Sequence, residues 1–191
     1  MISLDAELVR RGVRGDRDAV AQILAAARPW VLRYCLARLG RINGSYATAE
    51  DVAQDVCLTL LRVLPRYREV GRPFAAFIYG IANHKVSEAV RVARRRPPQA
   101  PLTELTDHPD PTDGPEPLAI AADLSARLRR MLDRLPHTQR EVIVLRVAVG
   151  LSTEQVAAIL GISPSGVRVA QHRALKRLRT LAVAILDEVA R

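Results

Sequence analysis

Three groups of side chains have the types and spacing to do chemistry. The first is a polar run after Pro164, in which Ser165, Arg168, Gln171, His172, Arg173 and Lys176 fall on one side of an expected helix. Side chains near a helix start can reach base edges in a DNA major groove, which suits Ser165 and Arg168, whereas cations further along, Arg173 and Lys176, suit phosphates. The second is a cluster of cations and aromatic rings: Arg66, Tyr67, Arg68 and Arg72, followed by Tyr79, His84 and Lys85. Cations to track a backbone and rings to stack on bases are the means of capturing single-stranded nucleic acid. Phe74, Phe77, Ile78 and Ile81 share helical spacing and are assigned mostly to a core, leaving DNA contact to the loop and to Tyr79, His84 and Lys85 as exposed groups. The third is Glu50, Asp51, Gln54 and Asp55, an acidic patch in a chain of net charge +9. Glu50 and Asp51 suit a helix N-terminus, but Asp51 and Asp55 repel each other at a four-residue spacing, and a basic partner would offset that cost.

Other chemistries find no constellation. His84, His108, His137 and His172 sit in four different segments, and no Gly-rich phosphate loop precedes a helix. Cys35 and Cys57 lie far apart inside apolar patterns, as reduced structural thiols do. Pro109 and Pro111 interrupt Asp107, Asp110 and Asp113, so the compact turn of a calcium loop is not expected there. The sequence therefore predicts no catalytic residues, no metal site and no cofactor.

The elements that must position the three groups are helices, and the expected fold is all-α. Charge is distributed as +8 over residues 1–96, −6 over 97–126 and +7 over 127–191. The middle stretch also carries Pro97, Pro98, Pro101, Pro109, Pro111, Pro115 and Pro117, which block regular structure. Two small helical domains, 1–96 and 118–191, are expected on either side of a flexible, acidic, Pro-rich linker at 97–117. In the first, apolar spacing predicts one long helix, or two end to end with a kink at Pro29, closed by Gly40. A second helix spans about 48–64 behind a Thr48/Asp51 capping box, and a third opens at Pro73 and runs to Arg94–Arg96. In the second domain, a short helix ends at Gly150. Ser152 and Gln155 then cap a helix at 153–160, Gly161 turns the chain, and Ser163 with Pro164 starts another. That succession is a helix-turn-helix. No apolar run approaches a membrane span, so no membrane insertion is expected, and with an acidic start instead of a basic leader the chain is expected to be cytoplasmic.

Three of these segments resemble the extracytoplasmic-function (ECF) sigma factors of bacterial RNA polymerase. Ala49-Glu50-Asp51-Val52-Ala53-Gln54-Asp55-Val56 is similar to the family's region-two helix, Phe74 to Lys85 to its minus-ten segment, and Leu135 to Val142 with the following helix-turn-helix to region four. The resemblance implies core RNA polymerase as partner, through its clamp coiled coil at Glu50, Asp51, Gln54 and Asp55 and through its flap. It also implies promoter DNA, read at minus ten by the 66–72 loop and the helix after it and at minus thirty-five by the recognition helix. An anti-sigma protein is a further partner that the tether would permit. Phe77 stands where many members have Trp, His84 where many have Asn, and Val169-Ala170 where a Ser-Arg pair is common, so the promoter sequence is not transferable from relatives. The alternative is a helix-turn-helix regulator that acts without being a polymerase subunit; the helical pattern of residues 1–96 argues against it.

Overall fold

The computed structural model describes residues 4–40, 48–95, 124 and 126–189. The expected linker at 97–117 lies outside the described residues, as does the start of the expected second domain up to 123. Among the described residues the ordered elements are all helical, without a strand. Helix α1 (Ala6–Val13) starts where Asp5 accepts a hydrogen bond from the Glu7 amide. Helix α2 (Arg17–Leu39) starts at Asp16, which caps two amides, runs through Pro29 without interruption and stops at Gly40, whose φ is +65°. Helix α3 (Ala49–Val63) follows and passes through a single 3-10 turn (Leu64–Arg66) into the 67–73 loop. Helix α4 (Phe74–Arg95) completes the N-terminal helices.

The C-terminal helices begin with α5 (126–133). Pro136 then opens α6 (His137–Ile143), which runs on as a π-turn over Val144–Ala148. Helices α7 (Thr153–Leu160) and α8 (Pro164–Val189) complete the fold.

Packing follows the apolar stripes. Ile23, Trp30, Val31 and Tyr34 of α2 meet Val52, Val56 and Leu60 of α3 and Ile78, Ala82 and Val86 of α4. Removing a side chain such as Ile78 from water contributes about 1.5–3 kcal/mol. The same buried cluster extends without a break into Val142, Leu145, Val156, Ile159 and Val167, so the two sets of helices are packed together. A small separate cluster of Leu132, Leu135, Ile143 and Ala174, with Leu178 against it, ties α5 and α6 to α8.

Candidate nucleic-acid and protein interface

The helix-turn-helix is built by local hydrogen bonds. Ser152 Oγ accepts the Gln155 amide at 3.1 Å while Gln155 Oε1 accepts the Ser152 amide at 2.8 Å, which satisfies two free donors at the start of α7. At its end Gly161 takes the left-handed conformation (φ +70°, ψ 35°), and the amides of Gly161 and Ile162 both donate to the Ala157 carbonyl. Ser163 Oγ accepts the Gly166 amide at 3.0 Å and starts α8. From below, Arg146 of the π-turn donates to the Leu151 carbonyl and, at 3.3 Å, to Gln171 Oε1. Ser165, Arg168, His172, Arg173 and Lys176 are exposed on α8, with Gln171 half-buried beside them, while Val167 and Ala174 face inward. The polar run of the sequence thus forms one accessible face.

The 66–73 loop is shaped by Gly71 (φ +71°) and by packing of Tyr67 on Phe74 and Phe77, with both ring centroids 4.9 Å away. Burial, reinforced by Glu69, raises the Tyr67 hydroxyl above its ordinary range. A cavity of about 420 Å³ opens between the loop and α4, lined by Arg66, Tyr67, Arg68, Phe77 and Ile81 among others. Arg66, Arg68 and His84 are exposed.

Three expected DNA contacts are engaged inside the molecule. Tyr79, expected to be exposed, is 8% exposed, and its hydroxyl donates to Glu141 Oε2 at 2.9 Å. Arg72 donates to the Ile159 carbonyl at 2.5 Å. Lys85 pairs with Asp55 at 2.8 Å.

On α3 the Thr48/Asp51 capping box is present, with the Asp51 amide donating to Thr48 Oγ1 at 3.1 Å and Asp51 Oδ2 accepting the Thr48 amide at 2.8 Å. Glu50, Asp51 and Gln54 are exposed and Asp55 is half-buried. The repulsion between Asp51 and Asp55 is eased from within the molecule, by Lys85 of α4, and does not itself require an external cation. Two exposed leucines, Leu58 (44%) and Leu61 (45%), prolong the line of Glu50 and Gln54 along the helix. Spacing alone could have exposed them, since 50, 54, 58 and 61 share a helical face.

One cluster was not singled out from the sequence. Glu141 of α6 is fully buried against the N-terminal helices: its Oε2 accepts from Tyr34 at 2.7 Å and from Tyr79 at 2.9 Å, and its Oε1 lies 3.4 Å from Arg38 Nε. The Arg38 contact is a charge pairing without hydrogen-bond alignment. Tyr34 Oη also lies 3.2 Å from Asn83 Oδ1. Burial first, and the carboxylate next, push both tyrosine hydroxyls above their ordinary range. On the outer edges of this contact, Arg129 of α5 donates to the Leu39 carbonyl and Arg72 reaches α7. No group of three or more His, Cys, Asp or Glu suited to a metal occurs among the described residues, and none of their helices is long and apolar enough to cross a membrane.

Comparison with known proteins gives the same pattern along the chain. Residues 23–96 match the family model "Sigma-70 region 2" and residues 125–178 match "Sigma-70, region 4". The ECF RNA polymerase sigma factor SigD of Mycobacterium tuberculosis is 50% identical over 184 residues, 96% of this chain and 86% of its own length. ShbA of Streptomyces griseus, another ECF sigma factor, is 48% identical over 178 residues, 92% of this chain and 93% of its own. The solved structure of CnrH in complex with the cytosolic domain of CnrY superposes with a TM-score of 0.64 at 25% identity, covering 93% of this chain and 96% of CnrH. The chain belongs to the ECF family of RNA polymerase sigma factors.

Proposed function

We propose that this chain directs core RNA polymerase to a specific set of promoters, with three surfaces dividing the work. The exposed face of α3, Glu50, Asp51 and Gln54 with Leu58 and Leu61 beside them, docks on a basic coiled coil of the polymerase clamp, while the C-terminal helices meet the flap. Arg66, Tyr67, Arg68, Arg72, Tyr79, His84 and Lys85 hold the opened non-template strand at minus ten, the 420 Å³ cavity beside Tyr67 and Phe77 being of a size to receive an unstacked base. Ser165, Arg168, Gln171, His172, Arg173 and Lys176 read duplex DNA at minus thirty-five. The working units are 1–96, the linker 97–117 and 118–191. The polymerase supplies the chemistry, so the chain itself is not an enzyme, and it acts in the cytoplasm where polymerase and promoters are. An anti-sigma protein is a further partner, in keeping with the CnrH complex.

The observation that carries this reading is that one helical chain presents both an exposed basic recognition helix and an exposed acidic helix face. A simple DNA-binding regulator needs only the first. Run-off transcription with core polymerase on genomic promoter fragments tests it. New, defined transcripts are expected with this protein, and they should disappear with Glu50→Arg plus Gln54→Arg, a pair that leaves the Asp51 cap intact. Sequence-specific DNA binding without core-dependent transcripts would instead indicate a regulator.

A further inference from the structure

We propose that the contact centred on Glu141 is a latch that closes the minus-ten face of the free chain, so that the protein must open before it can hold a DNA strand. The inference rests on the reading of α4 and its loop as the minus-ten surface.

The geometry supports it in three ways. The residues used by the latch are residues the strand would need: Tyr79 gives its hydroxyl to Glu141, and Arg72 gives a guanidinium N–H to the Ile159 carbonyl of the helix-turn-helix. A strand cannot take either while α6 and α7 hold it. The recognition face of α8 stays exposed in the same arrangement, so closure affects one DNA surface and spares the other. The centre of the contact is also polar: a buried carboxylate, two hydroxyls and the 7%-exposed Arg38. Such groups lose water on closing and regain it on opening, so a polar contact separates at far less cost than an apolar one of equal area. Both forms are therefore accessible to one chain, and binding to the open form is weakened by the fraction of molecules that are closed.

The test uses the full-length free chain and a fluorescent single-stranded oligonucleotide carrying the non-template minus-ten strand of a promoter found by run-off. Affinity is read by anisotropy for wild type, Arg129→Ala and Glu141→Ala. Neither residue belongs to a proposed DNA surface, and Arg129→Ala removes a cation, so a gain in affinity from it runs against simple electrostatics. Circular dichroism checks that helicity is kept; if Glu141→Ala is misfolded, Arg129→Ala carries the test alone. The latch predicts strand binding tighter than wild type, about tenfold where a tenth of wild-type molecules are open. It also predicts no difference between variants and wild type once core polymerase holds the chain open. Equal affinities for variant and wild-type free chains would overturn the latch and leave the minus-ten reading intact. A gain that persisted in full with core polymerase would also overturn it, by placing the effect in DNA contact. No binding of the strand by any form, with or without core, would remove the minus-ten reading and the latch with it.

Discussion

Cys35 shows how far a single residue's surroundings decide its chemistry. It lies buried between α2 and α3, and burial, with a smaller contribution from the neighbouring Cys57, pushes its thiol up to about 12. A thiol reacts as the thiolate, and at pH 8 only about one Cys35 in ten thousand is ionised. Cys57 is partly exposed, and burial raises its thiol as well. A disulfide-exchange reagent should therefore release one equivalent from the native chain, from Cys57, and the second only after denaturant. Two equivalents released at the same rate would mean that α2 and α3 part readily. The inert, structural role of Cys35 was legible from its apolar helical context. Tyr79 was not, because aromatic and cationic neighbours in sequence suggested exposure while its partner, Glu141, lies 62 residues away. Hydrophobic periodicity reports which face is buried and cannot report which distant polar group meets it.

Helices were most legible where their ends are set by local hydrogen bonds. Thr48 with Asp51 and Ser152 with Gln155 were readable because each box involves residues three apart, and both are present. The turn at Gly161 was readable for the same reason. Ser152→Ala should destabilise the chain by about 1 kcal/mol through loss of the cap, measured as a shift in the urea midpoint. Gly161→Ala should cost about 1–2 kcal/mol, and here the cost is conformational: the added methyl would meet the Arg72 guanidinium at 3.5 Å, an ordinary contact, but φ +70° disfavours any L-residue. A Gly161→Ala chain as stable as wild type would mean that the turn relaxes to another conformation. Less was legible elsewhere. Helix α1 has 8 residues, half of them charged or glycine, and gives too short a period to stand out. Pro29 suggested a kink, yet α2 passes through it, held on its inner face by Ala27, Trp30 and Val31.

At the scale of the whole molecule, sequence indicates two helical units of like charge, and such units repel at long range. The structure adds what overcomes that repulsion: an unbroken apolar cluster with Glu141 set into it. A buried carboxylate facing Arg38 and two tyrosines makes the association sensitive to high pH, and the sign follows from the hydroxyls. Tyr34 and Tyr79 are held protonated above their ordinary range in the folded chain, so their contribution to stability is complete below about pH 10, where unfolded tyrosine titrates, and is lost as pH rises beyond it. Few other groups confuse that window, because only Lys85 and Lys176 among the 29 basic side chains are lysines and arginine keeps its charge. Urea unfolding followed from pH 8 to pH 11 should therefore show a falling midpoint above pH 10. Tyr34→Phe keeps the ring but leaves Glu141 with one donor fewer, so at pH 8 it should be less stable by about 1–3 kcal/mol and should lose part of the alkaline fall. Tyr67, whose hydroxyl is also raised by burial, accounts for a remainder. An alkaline fall of the same size in wild type and Tyr34→Phe would place the sensitivity outside the contact between the two sets of helices.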